Sequence, residues 1–129
     1  MLLRAITSRH VPHHLQSLDG LYGAGTYFAD QSCKALQYSP QKAESWTDSL
    51  TGRSVTKKTK IVLISRVLLG DPFYAEKANR KKHQKRRRPP DHEGRIGLLY
   101  DSMVVNIDVG SKQMHREIMI YDRAQAYPE

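Results

Sequence analysis

The sequence predicts an α+β domain with a β-rich core, and three observations lead to this prediction. Three apolar stretches, at residues 60–69, 100–107 and 117–122, have the length and composition of strands. Only one stretch, residues 33–38, has a pattern that favours a helix. The 129 residues are about the length of a single domain. We therefore expect one domain in which strands outnumber helices.

The net charge of +8 belongs to one segment of the chain. Residues 77–88, which begin with Lys77 and end with Arg88, include eight basic residues and no acidic one. Without them the chain has 13 basic residues (21 − 8) against 13 acidic residues. We expect residues 76–97 to form an exposed, flexible basic loop. It can be a solvated surface segment, or a contact for nucleic acid or the nuclear-import machinery.

Composition also excludes several classes of protein. No apolar run approaches the ~20 residues that span a bilayer, so we expect no membrane partner. Cys33 is the only cysteine, which excludes an internal disulfide and a cysteine-based zinc site. The histidines at 10, 13 and 14 have no carboxylate or thiol beside them to complete a metal site. We expect an intracellular protein, in the nucleus or cytoplasm, without a metal cofactor.

The first structural signal is a glycine-rich segment at residues 20–29, GLYGAGTYFA. Because glycine lets the backbone turn sharply and approach a ligand closely, we expect a tight loop that runs into a short strand. The helix at residues 33–38 follows. Asp30 or Ser32 is its expected N-cap, and Pro40 is expected to end it.

The stretch at residues 60–69, KIVLISRVLL, is nearly continuously apolar and is closed by Gly70, Asp71 and Pro72. Such a run is typical of a strand buried on both faces. Residues 39–59 read instead as a polar connection, for which Trp46 is the expected anchor onto the core. Residues 100–107 and 117–122 complete the set of predicted strands.

Taken in order, these segments resemble the second half of the poly(ADP-ribose) polymerase catalytic domain, the diphtheria-toxin-like ADP-ribosyltransferase fold. GLYGAGTYFAD at residues 20–30 and SCKALQY at 32–38 are similar to the family's G-x-G-x-Y-F-A and S-x-K-S-x-x-Y motifs. EIMIYDRAQAYPE at residues 117–129 is similar to its E-Y-x-I-Y and Q-A-Y-P-E terminus, with the spacing of tankyrase-like members. The resemblance covers nearly the whole chain apart from its two polar loops.

The resemblance implies a transferase that uses NAD as its substrate. By motif match Tyr27 and Glu117 are the catalytic tyrosine and glutamate, and Tyr38 is the tyrosine that stacks on nicotinamide. Tyr22, Gly25 and Ala35 are the other expected NAD-binding residues, and Ala35 stands where the family commonly has a serine. The family also uses a His-Gly motif, and none of the six histidines here precedes a glycine. We therefore expect residues 1–129 to be a partial catalytic domain, incomplete at both ends.

The chemistry that the resemblance implies needs a carboxylate. Cleavage of the nicotinamide–ribose bond develops positive charge on the ribose, which a nearby carboxylate stabilises. Glu117 suits this role, and the resemblance implies that it favours elongation of an ADP-ribose chain over single transfer. Tyr27 and Tyr38 suit a sandwich around the flat nicotinamide ring.

Three functions follow. The first is transfer of ADP-ribose from NAD to side chains of protein acceptors, with release of nicotinamide. The second is a catalytically inactive fragment or scaffold module of the same fold, which the missing His-Gly and Ala35 favour. The third is a basic nucleic-acid-binding or nuclear-targeting protein that acts through residues 77–88. The basic segment can also contact the anionic ADP-ribose product.

Overall fold

The computed structural model describes residues 20–76, 88–106 and 115–129, together with the backbone of residues 2–7. Its main feature is a seven-stranded sheet with one α-helix, α1 (Ser32–Tyr38), packed against it. The strands in chain order are β1 (Leu2–Thr7), β2 (Thr26–Ala29), β3 (Lys42–Thr47), β4 (Ser54–Thr59), β5 (Leu63–Leu68), β6 (Pro72–Ala75), β7 (Ser102–Val105), β8 (Glu117–Ile120) and β9 (Ala126–Pro128). The predicted β-rich α+β class is confirmed.

The sheet has the order β6-β7-β8-β2-β1-β5-β9, so β2 lies in its middle. Only β6 and β7 run parallel; the other neighbours in this sheet are antiparallel. The neighbours β2 and β8 are far apart in sequence, since Ala29 pairs with Glu117. The centre of the sheet is therefore built from the glycine-rich segment and the C-terminal apolar strand, two of the predicted elements.

Two apolar clusters cover the two faces of this sheet. One contains Phe28 and Ile118, and the other contains Tyr22 and Met119. Side chains alternate between the faces of a strand, and Tyr27 and Phe28 accordingly pack against different clusters. All four residues of β7 and of β8 are buried, including the polar side chains of Ser102 and Glu117.

The prediction that residues 60–69 form a strand buried on both faces is wrong in its burial. The strand β5 alternates: Ser65 and Val67 are buried, whereas Ile64 and Leu68 are 42% and 51% exposed. A strand that contributes one face to the core needs apolar residues only at alternate positions. The continuous apolar run therefore overstates how much of this strand is covered.

The helix lies where the sequence predicts it, but its predicted cap is wrong. The N-cap is Gln31, and no side chain caps the helix there. Ser32 is already helical, and Asp30 lies one residue too early to cap. The helix ends at Tyr38, and Ser39 has an extended backbone, which is the conformation preferred before a proline.

The predicted polar connection at residues 39–59 is instead an ordered two-stranded ribbon, β3 paired with β4, which we call the ribbon (residues 42–59). Every side chain of β3 is exposed, and Trp46 is 48% exposed. The prediction that Trp46 anchors this segment on the core is thus wrong. Its cross-strand neighbour is Val55, which is only partly covered.

The predicted basic loop is described only in part, because residues 77–87 lie outside the described residues. Residue 107, at the end of a predicted strand, also lies outside them. Within residues 88–97 most side chains are exposed, and Asp91 forms an isolated bridge with Leu99. The Asp71 carboxylate holds this segment to the sheet, 2.9 Å from His92 Nε2 and 2.7 Å from an Arg95 terminal nitrogen. In the described residues no helix is both long and apolar enough to cross a membrane.

Candidate active site around Glu117

Tyr27 and Glu117 lie on the same face of the sheet, on the neighbouring strands β2 and β8. The register pairs Tyr27 with Met119 and Ala29 with Glu117. Directly opposed residues share a face, and so do residues two apart on one strand. The two predicted catalytic side chains are therefore diagonal neighbours on one surface.

The Tyr27 hydroxyl holds the glycine-rich loop in place. It donates a hydrogen bond to the Gly23 carbonyl at 2.8 Å and accepts one from the Tyr22 backbone N–H at 3.1 Å. Gly23 has φ = 105°, a conformation that side chains rarely adopt. A Cβ at Gly20 would overlap the Tyr27 hydroxyl, so this loop can close around the tyrosine only with glycine there.

The pKa of Tyr27 is raised to about 12, chiefly by burial; the hydrogen bond from the Tyr22 N–H opposes this rise, and the negative charge of Glu117 adds to it. A charged phenolate is poorly solvated in this position. The Tyr27 hydroxyl consequently stays protonated and remains a hydrogen-bond donor at neutral pH. Its role in the described structure is to shape the loop.

Glu117 is buried, with 6% of its surface exposed, and it forms an ion pair with Lys34 of α1. Lys34 Nζ lies 2.9 Å from Glu117 Oε1, and the two side chains are 16% and 8% exposed. A carboxylate this deeply buried is costly unless it is paired, and the lysine offsets that cost. The expectation for an isolated strand-end glutamate is a solvated side chain, so this burial marks Glu117 as unusual.

Lys34 also connects Glu117 to Tyr38. Its Nζ donates to the Tyr38 hydroxyl at 3.4 Å and lies 5.2 Å from the centre of the Tyr38 ring. Burial lowers the pKa of Lys34, but the hydrogen bonds and negative charge of Glu117, aided by Tyr38, outweigh burial and raise it. Lys34 therefore stays positively charged at neutral pH, and it lies between the Glu117 carboxylate and the Tyr38 ring, which is 50% exposed.

The three other predicted NAD-binding residues have less accessible positions. Tyr22 is 1% exposed and belongs to the core cluster on this face of the sheet. Ala35 is 5% exposed and is the buried residue of α1. Gly25 packs tightly on β8, where an added Cβ would lie 2.6 Å from Met119 Cγ and 2.9 Å from the Ile120 carbonyl oxygen. Tyr22 and Gly25 belong to the glycine-rich loop that precedes Tyr27 of β2, and Ala35 belongs to the helix that carries Tyr38.

Lys34 is a residue of the site that the motif analysis did not single out. It is the lysine of the quoted S-x-K-S-x-x-Y motif, so a signal for it was present in the sequence. Its partner is 83 positions away (117 − 34), and a contact over that distance follows from the sheet topology rather than from any local pattern.

The arrangement joins one buried carboxylate to one cation, Lys34 of α1, with Tyr38 at the C-terminal end of the helix and Tyr27 on the neighbouring strand of the sheet. A negative charge held in a fixed position can stabilise developing positive charge without reorganisation. Among the described residues no group of three or more His, Cys, Asp or Glu side chains is placed to hold a metal ion. The groups present are suited to electrostatic and hydrogen-bonding chemistry.

The geometry is that of a strand-built site with a glutamate at the start of a central strand and a glycine-rich loop beside it. The sequence model of the poly(ADP-ribose) polymerase catalytic domain matches residues 6–129. The chain therefore belongs to the poly(ADP-ribose) polymerase catalytic domain family, whose fold is that of NAD-dependent ADP-ribosyltransferases. A search of curated proteins found no match to this chain.

Proposed function

We propose that this domain transfers ADP-ribose from NAD to side chains of acceptor proteins and releases nicotinamide. Tyr27 and Tyr38 bind the nicotinamide end of NAD, with Tyr22, Gly25 and Ala35 forming the walls that hold them. Glu117 serves catalysis at the adjoining ribose. Membership of the family supports the reaction class, and the geometry around Glu117 supports the assignment of its residues.

The observation that carries this proposal is the buried ion pair between Lys34 and Glu117. The pair uses Glu117 Oε1, and a ribose hydroxyl can be bound through Oε2. Lys34 fixes the carboxylate where positive charge develops on the ribose as the bond to nicotinamide breaks. A buried charge with its own counter-ion is costly to maintain for stability alone, which favours a catalytic role.

The rival proposal is an inactive fragment or scaffold of the same fold. The absence of a His-Gly sequence and the presence of Ala35 favour it. The ion pair favours the enzyme, because a scaffold has no need of a buried glutamate and could place an apolar residue at position 117. Activity of the chain itself decides between the two.

The test is incorporation of labelled ADP-ribose from NAD by the folded chain and its Glu117→Gln variant. Glutamine keeps the shape of the side chain and can still accept from Lys34, but it removes the charge. We expect the rate of label incorporation and of nicotinamide release to fall by about 100-fold or more. Glu93→Gln removes an exposed carboxylate elsewhere and is expected to leave both rates unchanged. Equal rates in Glu117→Gln and the parent chain would contradict the proposal.

Two finer features are part of the same proposal. The presence of Glu117 supports elongation of an ADP-ribose chain, and the Q-A-Y-P-E spelling of residues 125–129 supports a tankyrase-like subgroup. Label that migrates as a ladder of polymer lengths is the expected result. A single ADP-ribose on each acceptor site would leave the transferase assignment in place and remove the elongation assignment.

A further inference from the structure

The ribbon is an ordered structure that buries almost none of its own side chains. Along β3 and β4 only Val55 and Thr59 are partly covered. An isolated two-stranded ribbon is at best marginally stable in water. Something other than burial must therefore hold it in shape.

Specific hydrogen bonds do so at both ends. At the tip, the Asp48 side chain accepts from the backbone N–H groups of Leu50 (2.8 Å) and Thr51 (3.2 Å), and Gly52 turns with φ = 65°. These bonds lower the pKa of Asp48, so the carboxylate that makes the turn stays ionised. Between the strands, the hydroxyls of Ser45 and Thr56 are 2.9 Å apart.

The base of the ribbon is fastened to the end of α1. Ser39 Oγ donates to the Ile61 carbonyl at 2.8 Å and accepts from the Ile61 N–H at 3.0 Å. Lys60 Nζ donates to the Leu36 carbonyl at 2.8 Å. Because α1 also carries Lys34 and Tyr38, these hydrogen bonds fix the base of the ribbon beside the candidate active site.

The exposed surface of the ribbon has a definite chemistry. Its charged side chains are four basic residues against two acidic residues, and one of the acids, Asp48, is used by the turn; the set is Lys42, Arg53, Lys57 and Lys58 against Glu44 and Asp48. Two large apolar side chains are also presented, Trp46 (48% exposed) and Leu50 (95% exposed). Within the part of the chain that the structure describes, each strand of the two-stranded sheet has one neighbouring strand, so each presents an outer edge of backbone groups that can pair with a further strand.

We propose that the ribbon is a docking arm for acceptor proteins, which binds an extended acidic segment of the acceptor by strand addition to the outer edge of the ribbon. This inference rests on the proposed transferase function. Backbone pairing supplies affinity, and the lysines select acidic side chains. Trp46 supplies an aromatic anchor for an apolar residue of the segment. The attachment to α1 then delivers the acceptor next to Glu117.

The first test measures binding without catalysis, by fluorescence anisotropy of the full chain with a labelled peptide of about ten residues in which Glu and Val alternate. We expect the Lys57→Glu/Lys58→Glu variant to weaken binding about fivefold or more. The matched control, Arg88→Glu/Arg123→Glu, makes the same change in net charge outside the ribbon and is expected to bind as the parent does. A peptide with proline at its central positions cannot pair as a strand and is expected to bind weakly.

The second test separates docking from chemistry. With an acidic protein acceptor, the charge-reversed variant is expected to show a KM for the acceptor raised about fivefold or more, with nicotinamide release in the absence of acceptor unchanged. If neither the parent nor the variant releases nicotinamide, the proposed function fails, and the peptide experiment still decides the docking role.

Several results would overturn the docking arm. They are no binding of the acidic peptide, equal binding by the charge-reversed variant, and equal binding of the proline peptide. Preferential binding of a single-stranded RNA oligomer by the ribbon lysines, or pairing of the ribbon with a second copy of the chain, would replace it with a different partner.

Discussion

Lys34 and Glu117 are joined by an ion pair of 2.9 Å between side chains that are 16% and 8% exposed, although one lies on the helix and the other on the C-terminal strand of the site. The pair ties α1 to the centre of the sheet. It also gives the buried carboxylate a counter-ion in surroundings that otherwise favour apolar side chains. Its loss is expected to affect both the stability of the domain and its chemistry.

Replacing Lys34 with methionine is expected to lower the free energy of unfolding by about 2–4 kcal/mol, because Glu117 is then buried without its counter-ion. Urea unfolding checks this value. The double variant with Glu117→Gln is expected to be less destabilised than the sum of the two single variants, since both remove the same pair. Strict additivity would mean that the two side chains do not interact.

Replacing Tyr27 with phenylalanine removes one hydrogen bond to the Gly23 carbonyl and one from the Tyr22 N–H. The expected loss is about 1–3 kcal/mol, because two backbone groups of a tight loop lose their partner. Thermal and urea unfolding measure it. The neighbouring ring of Phe28 cannot replace Tyr27 in this role, because it packs on the other face of the sheet.

The pH dependence of stability has a definite sign for Tyr27. Its folded-state pKa of about 12 lies above the ordinary value of 10.0. The protonated form is favoured by folding, so its contribution is complete below pH 10 and is lost as the pH rises from 10 towards 12. The raised pKa of Lys34 acts in the same direction at high pH. The Tyr27→Phe variant lacks this titrating hydroxyl, so it is expected to lose less stability than the parent across this range, and the loss that remains is that of Lys34.

Gly25→Ala is expected to destabilise the domain by about 1–3 kcal/mol, because the new methyl group would press on β8. The contact atoms are Met119 Cγ at 2.6 Å and the Ile120 carbonyl oxygen at 2.9 Å. Gly94→Ala is the control: its nearest contact is 3.5 Å away, at a ring atom of His92. We expect that control to unfold within about 0.5 kcal/mol of the parent. Similar losses for both variants would show that Gly25 is not tightly packed.

The side chain of Gln125, the glutamine of the Q-A-Y-P-E motif, accepts hydrogen bonds at its oxygen and donates them at its nitrogen. Gln125 Oε1 accepts from the backbone N–H groups of Tyr121 and Asp122, at 3.2 and 2.9 Å, and Nε2 donates to the carbonyls of Leu68 and Asp101, at 3.3 and 2.9 Å. Gln125→Glu replaces the donor with an oxygen that faces two carbonyls. At neutral pH it is expected to be more destabilising than Gln125→Ala, by about 1 kcal/mol or more. The difference is expected to shrink in acid, where the new carboxyl group regains a proton to donate.

The sequence patterns predicted the elements whose burial is complete. The apolar sequences of β7 and β8 predicted strands there, and both strands are buried at every position, although the burial of Ser102 and Glu117 was not predicted. The strand β6 and the strands of the ribbon were missed, because a proline start and a run of Ser, Thr and Lys give no apolar alternation. Trp46 was misplaced for a related reason: a lone tryptophan in a polar segment indicates an anchor, and the pattern contains no information on what lies beside it.

In the candidate site, too, local patterns predicted some features and missed others. Tyr27 and Glu117 were predicted as site residues from the motifs, and the structure places them on one face of the sheet, which no local pattern could predict. Lys34 was within a quoted motif but became significant only through its contact with Glu117. The N-cap of α1 was predicted from the preference for Asp and Ser, yet the backbone geometry places Gln31 there. Long-range pairing and the exact start of a helix depend on tertiary structure.

The pairing of β2 with β8 has a consequence for how the domain folds. Ala29 and Glu117 are neighbours in the sheet but lie 88 positions apart in sequence (117 − 29). Contacts that close such long loops slow folding, because chain entropy is lost before the contacts form. During synthesis the middle of the sheet cannot be completed until residues 117–120 have emerged from the ribosome. Until then β2 lacks one of its two neighbouring strands, and the growing chain exposes an apolar edge that binding by a chaperone would protect.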